Sequence, residues 1–328
     1  MFSIIIPVYK NEASLAELVA SLGAIARDIA ARFERSTEVV FVVDGSPDDS
    51  YPALRRILPG APFRSRLLLH TRNFGAFAAI RTGLAAAGGD LFAVMAADLQ
   101  EPPELMLEFL GALDGDECDV VVGSRRERSD PLANRVASKV FWRLYRRWVI
   151  PDIPKGGVDV FGCNRRFRDE LVKLEESNSS LVGLLFWLGF RRKEILYDRR
   201  ERMQGRSAWT FTKKLTYFFD SVFSFTDLPI RLLISFGLLG LVTSIVVGLT
   251  VFSLRILGLV DVPGYTATVL IVLFFGGLNA LGLGIVGTYA WRGFENTKHR
   301  PLALVLKQDC FDGRKPIEIE RGMSELRQ

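Results

Sequence analysis

Asp98 and Gln100 stand one residue apart in the segment Ala97-Asp98-Leu99-Gln100-Glu101-Pro102-Pro103, so both can offer side-chain oxygens to one hard cation. A cation held there would bridge diphosphate oxygens and neutralise a departing diphosphate. A second acidic turn, Asp44-Gly45-Ser46-Pro47-Asp48, offers a carboxylate suited to accept hydrogen bonds from a ribose or base. Asp-Gly at a strand end serves equally well as ordinary turn chemistry. The 3 cysteines and 2 histidines are scattered, so neither a disulfide framework nor a zinc site is indicated and any metal is expected to have oxygen ligands. No G-x-G-x-x-G opens the first helix and there is no P-loop, which disfavours a dinucleotide-dependent dehydrogenase.

These turns need strands to hold them. Short apolar or β-branched runs at Phe2 to Val8, Glu38 to Val43, Arg66 to His70, Leu91 to Ala96 and Val120 to Gly123 read as strands. They alternate with amphipathic stretches, of which Ser14 to Phe33 places Leu15, Leu18, Val19, Leu22 and Ile25 on one face, and Ala76 to Ala86 is another. The pattern predicts an α/β fold with a mostly parallel, doubly wound sheet, whose ligands gather beyond the carboxyl ends of the strands. The acidic turns stand at those ends. Between Asp130 and Val149, arginines interleaved with Phe141, Trp142, Tyr145 and Trp148 suit either a helix in a lipid headgroup layer or a soluble surface helix.

The chain has 328 residues, of which 49% are hydrophobic, and a mean hydropathy of +0.20. That average conceals two uncharged or nearly uncharged runs, Leu232 to Leu254 and Val262 to Trp291, each long enough to cross a bilayer core of roughly 30 Å. Lys213, Lys214 and Arg231 precede the first run, and Arg292, Lys298, Arg300 and Lys307 follow the second. This bias predicts a multi-pass protein with both termini cytoplasmic. The net charge of +5 suits an anionic leaflet; nucleic acid would explain the charge but not the two spans. The expected organisation is a catalytic domain over 1–207, a juxtamembrane interfacial helix over 208–229 and a two-helix transmembrane hairpin over 230–292. A cytoplasmic tail over 293–328 follows, disordered beyond Lys307.

An ordered set of segments covers nearly the whole chain: Pro7-Val8-Tyr9 with Glu12, Asp44-Gly45-Ser46-Pro47-Asp48, Arg72-Asn73-Phe74-Gly75, Ala97-Asp98-Leu99-Gln100, Gly123-Ser124-Arg125, Gly157-Val158-Asp159, and Arg202 with Gly205 and Ser207. Together they resemble the family-2 glycosyltransferases of the dolichol-phosphate mannose synthase and bacterial polyprenyl-phosphate glucosyltransferase type, with a Rossmann-like GT-A catalytic domain. The resemblance implies that Pro7, Tyr9, Glu12, Asp44, Gly45, Asp98 and Arg202 bind a nucleotide sugar. It implies that Asp98 and Gln100 ligate Mg2+ or Mn2+, and that Asp159 is the catalytic carboxylate. Arg125, Arg135, Ser138 and Ser207 would contact the acceptor phosphate, where an arginine fork matches phosphate oxygens. The implied partners are a nucleotide sugar donor, a polyprenyl phosphate acceptor and a bacterial inner membrane, with a homo-oligomer expected and no nucleic acid.

Two positions depart from the family pattern. Val43 and Ala96 stand where many relatives carry aspartate, so one carboxylate is missing from each acidic pair. A metal must then lean on substrate phosphate and water, and is expected to bind weakly without donor. The expected reaction is inverting displacement by a lipid phosphate that is already anionic, its second pKa being about 6. Rival expectations are an impaired membrane scaffold or sugar-nucleotide sensor, suggested by the lost acids, and a processive polysaccharide synthase, which needs more spans and a Gln-x-x-Arg-Trp element. Retained Asp98, Gln100 and Asp159 favour an active enzyme. A UDP-glucose-like donor is favoured.

Overall fold

The computed structural model describes residues 1–126, 150–154, 157–176, 179–199, 221–257, 264–312 and 316–318, with isolated positions at 143, 146 and 147. It forms two compact units, the first built from residues 1–176, 180–211 and 300–328 and the second from 177–179 and 212–299.

In the first unit the alternating pattern becomes β1 (Phe2–Val8), α1 (Leu15–Phe33), β2 (Thr37–Val43), α2 (Ser50–Ile57), β3 (Arg64–His70), α3 (Ala76–Ala86), β4 (Leu91–Val94), α4 (Leu105–Asp114) and β5 (Val120–Arg125). Then follow β6 (Val160–Asn164), α5 (Arg165–Lys173), α6 (Leu181–Trp187) and β7 (Arg192–Tyr197). Continuous apolar runs suit strands covered on both faces, and β1 and β2 are buried almost throughout. Helix α1 turns Leu15, Leu18, Leu22 and Ile29 into the core, each contributing roughly 1.5–3 kcal/mol of gross burial energy.

The strands make one nine-stranded sheet in the order β7-β5-β6-β4-β1-β2-β3-β8-β9. Seven of the nine strands run in one direction, and only β6 and β8 oppose them, so the sheet is mostly parallel as expected. The acidic turns therefore lie along one edge, at the carboxyl ends of β1, β2, β4, β5 and β7.

The region read as a polar tail differs from expectation. Strand β8 (Val305–Phe311) pairs antiparallel with β3, from Ser65 opposite Phe311 to His70 opposite Val305, and β9 (Pro316–Glu318) pairs with β8. Phe311 is 2% exposed within the core, and Asp309 accepts a 2.5 Å hydrogen bond from Tyr51 Oη on α2. Strand β8 lies between β3 and the short β9, and its polar Lys307, Gln308 and Asp309 made it read as tail, although Asp309 is buried.

The second unit holds α7 (Leu228–Ile256) and α8 (Tyr265–Thr297). Among the described residues one helix stretch, 228–250, is long and apolar enough to cross a membrane, with mean hydropathy 2.4 and none of its most apolar window buried. Helix α8 is 33 residues long and exposes Ile271, Val272, Phe274, Leu281, Leu283 and Val286. The helices approach closely at two glycines: a Cβ on Gly282 would lie 3.1 Å from Leu233 Cδ1, and one on Gly240 3.2 Å from Phe275 Cε1, so those side chains would have to give by a few tenths of an ångström. Small residues thus allow close approach. Gly237, Gly276, Gly277 and Gly284 have nothing within 4 Å of such a Cβ.

Candidate active site

The ends of β1 and β2 are laced together before any ligand is considered. Lys10 N donates to Ser46 Oγ at 2.8 Å, Glu12 N to Asp48 Oδ2 at 3.2 Å, and Asp49 N to Glu12 Oε2 at 3.3 Å. Burial alone would raise the Asp48 carboxyl, but donors from Ser46, Ser50 and the Glu12 backbone hold it below its ordinary value. Tyr9 is 39% exposed beside this turn, with Lys10 Nζ 5.5 Å from its ring centroid.

Asp44, by contrast, is turned inward. Its Oδ1 accepts from Phe74 N at 2.8 Å and contacts His70 Nδ1 at 2.8 Å, while Oδ2 accepts from Gly75 N at 2.8 Å. Burial pushes its carboxyl up, yet the His70 and backbone donors overcome this and leave it below the usual range. Gly45 beside it has φ +56°, and a Cβ there would lie 2.3 Å from the Arg72 carbonyl carbon. Only glycine fits such a conformation at such a distance. Asp44-Gly45 therefore clamps the Arg72-Asn73-Phe74-Gly75 loop that opens α3, the turn role also open to it in the sequence.

The turn after β4 is built differently. Leu99 sits at φ 55°, a left-handed conformation costing a branched side chain roughly 1–2 kcal/mol, while its side chain packs on the core. Gln100 N donates to Asp98 Oδ1 at 3.3 Å. Gln100 is 9% and Glu101 2% exposed, and Glu101 Oε2 is buried without a hydrogen-bond partner. Burial first, and then the charge on Asp98, push the Glu101 carboxyl up to about 7; Arg199 opposes this and Asp159 adds to it.

Opposite this turn, at the ends of β5 and β7, Arg125 forks onto Asp159, with Nε to Oδ2 at 2.6 Å and Nη2 to Oδ1 at 2.8 Å. Tyr197 Oη donates to the same Oδ2 at 3.0 Å. Burial and the neighbouring Asp159 raise the Tyr197 phenol, keeping it a donor. Arg199, just beyond β7, donates from Nη2 to Gln100 Oε1, which ties the two sides together.

The structure thus brings together Asp98, Gln100, Asp159 and Arg125 from the predicted set, and holds Pro7, Tyr9, Glu12, Asp44 and Gly45 at the neighbouring strand ends. Arg135, Ser138, Arg202 and Ser207 lie outside the described residues, as does most of the helix expected from Asp130. Glu101, Tyr197 and Arg199 join the site without having been singled out. Their signals were faint: an acid wedged between a glutamine and two prolines, and an arginine inside a charged run. Among the described residues no group of three or more His, Cys, Asp or Glu is placed to hold a metal. The donors present are hard oxygens, and the orphaned Glu101 oxygen beside Asp98 fits a divalent cation that shares its remaining positions with phosphate and water.

Residues 3–174 match the family described as Glycosyl transferase family 2. The chain is 31% identical over 312 residues to the uncharacterized glycosyltransferase sll0501 of Synechocystis sp. (strain ATCC 27184 / PCC 6803 / Kazusa), covering 92% of this chain and 94% of that one. It is 30% identical over 304 residues to an undecaprenyl-phosphate 4-deoxy-4-formamido-L-arabinose transferase of Klebsiella pneumoniae, covering 91% and 90%. It is also 27% identical over 304 residues to a bactoprenol glucosyl transferase of Shigella phage SfV, covering 92% and 97%.

Proposed function

Because the chain belongs to glycosyl transferase family 2, we propose that this glycosyltransferase moves a sugar from a nucleotide diphosphate donor, UDP-glucose-like, to a polyprenyl phosphate such as undecaprenyl phosphate. The observation that carries the reading is the meeting of Asp98, Gln100 and Glu101 with the Arg125–Asp159 pair along one edge of a GT-A-like sheet. One side of that edge supplies oxygens for a cation, and the other supplies a fork and a phenol beside a carboxylate.

Asp98 and Gln100 would hold Mg2+ or Mn2+, which when bound neutralises the diphosphate as it leaves. Gln100 must first release its oxygen from Arg199. The acceptor phosphate oxygen attacks the anomeric carbon on the face opposite the diphosphate. The new C–O bond forms as the old one breaks, the electron pair leaves with the nucleoside diphosphate, and configuration inverts. Asp159, held in one orientation by Arg125 and Tyr197, steers the acceptor and takes any proton remaining on it. Arg125 brings positive charge to the same place, so the incoming phosphate meets a compensated carboxylate and not a bare one. Tyr9 and the turns after β1 and β2 form the nucleoside side of the cleft.

A lipid acceptor explains the apolar second unit, because each methylene withdrawn from the bilayer costs about 0.8 kcal/mol. In this reading α7 and α8 are two membrane spans packed at Gly240 and Gly282, with basic residues at one end. The protein then sits in a bacterial inner membrane with its sheet in the cytoplasm. The test is to incubate membranes carrying the protein with radiolabelled UDP-glucose and a panel of other nucleotide sugars. Label should enter a chloroform-extractable, mild-acid-labile lipid; no lipid label from any donor would overturn the proposal.

A further inference from the structure

The buried oxygen of Glu101 leads beyond that reading while resting on its cation position. Its own backbone N–H serves the Glu101 carboxylate, but Oε2 is left without a donor, and a buried polar atom left unpaired is tolerated chiefly where a ligand restores the balance. Protonation does not remove the deficit, since the hydroxyl would then lack an acceptor. The charged groups acting on Glu101 are Asp98, Arg199 and Asp159. Arg199 does not satisfy it: one Nη is given to Gln100 Oε1, and its Nε is itself buried without a partner. One carboxylate oxygen of Glu101 without a donor and the Nε of Arg199 without an acceptor are thus both buried close to Gln100. Ala96, the other residue close before Asp98, brings no oxygen.

We propose that Glu101 is the second protein carboxylate of the cation position, joining Asp98 and Gln100, and that Arg199 holds the Gln100 amide until the cation arrives. The left-handed backbone at Leu99 lies between Asp98 and Gln100, within the turn that carries all three side chains. Asp98, Gln100 and Glu101 would hold a hard divalent ion through oxygens, and it would neutralise the diphosphate that shares it. The acid that the sequence lacks on one side of Asp98 is thus supplied from the other. Once released, the Arg199 fork is available to the diphosphate that arrives with the cation.

The experiment measures Mn2+ binding by the full-length protein in detergent, using electron paramagnetic resonance of free Mn2+, in the presence of UDP and in parallel GDP. Asp98→Asn and Glu101→Gln are compared with wild type, and nucleotide binding in EDTA reports whether each variant keeps its cleft. Glu101→Gln should weaken Mn2+ binding roughly tenfold or more while nucleotide binding in EDTA is retained. Its melting temperature without metal should stay near that of wild type, because one unpaired buried group is exchanged for another. Mn2+ affinity within twofold of wild type, alongside loss in Asp98→Asn, would reject Glu101 as a ligand and leave the cation position standing. Loss of nucleotide binding in EDTA would reassign Glu101 as a structural residue. Absence of Mn2+ binding in wild type with either nucleotide would overturn the cation position itself, and Glu101 with it.

Discussion

Asp44 and Glu101 are both 2% exposed, and both follow a strand of the same parallel sheet, yet they are opposites in their hydrogen bonding. Asp44 is answered on both oxygens, by two backbone N–H groups and His70. Glu101 keeps one oxygen with nothing to receive. Depth of burial does not separate a structural acid from a functional one; the accounting of donors does. A satisfied carboxylate spends its charge on the fold, whereas an unsatisfied one keeps it for something that binds.

The largest effect expected from this contrast is on stability at Asp44. Asp44→Ala leaves two N–H groups and His70 without their acceptor, and should destabilise by about 3–5 kcal/mol, a fall in Tm on the order of 10 °C. Thermal unfolding of the purified protein measures it; an unchanged Tm would erase the distinction between the two acids. Next comes Asp159, which is held but part-exposed. Asp159→Asn should lower kcat about 100- to 1000-fold with donor KM little changed, and turnover near normal in a steady-state assay would remove it from the reaction. Asp309 offers an intermediate case, an acid 9% exposed with one strong donor. Tyr51→Phe should destabilise by about 1.5 kcal/mol, readable in denaturant midpoints, because Arg55 at 3.7 Å compensates only in part.

The smallest effect is a signed one. The Asp44 carboxyl is held below its ordinary value in the folded protein. Its contribution is therefore fully present above the unfolded carboxyl range near pH 4 and is lost as pH falls through the folded value. Stability measured from pH 6 downward should drop more steeply below about pH 4 in wild type than in Asp44→Asn. Parallel curves would show that His70 and the loop amides do not depend on the charge.

The contrast also explains what the sequence could reveal. Strands β1 to β5 were legible because each is a short apolar run between turn residues, and because Leu15, Leu18 and Leu22 recur at helical spacing. Asp98 and Gln100 could be singled out because they follow a strand end, where parallel sheets collect ligands, whereas Asp159 and Arg125 were reached only through the family resemblance, since no strand was expected around Asp159. Strand β8 was not, because its pairing with β3 joins residues some 240 positions apart, and no local pattern reports that. Glu101 was hidden for a related reason. Its lack of a donor is a property of its surroundings, and those include Asp159 and Arg199 from distant strands. The spans were read from composition, which α7 satisfies within one continuous stretch.

Strand β8 also imposes an order on how the molecule is made. The β3 edge is complete once His70 leaves the ribosome, but its partner at Val305–Phe311 comes roughly 240 residues later, on the order of ten to fifty seconds of synthesis. Throughout that interval the sheet presents an open row of backbone donors and acceptors. Both apolar helices are translated within the same interval. The β3 edge can be paired only after the ribosome has finished α7 and α8, so a nascent chain stalled before residue 305 leaves that edge open.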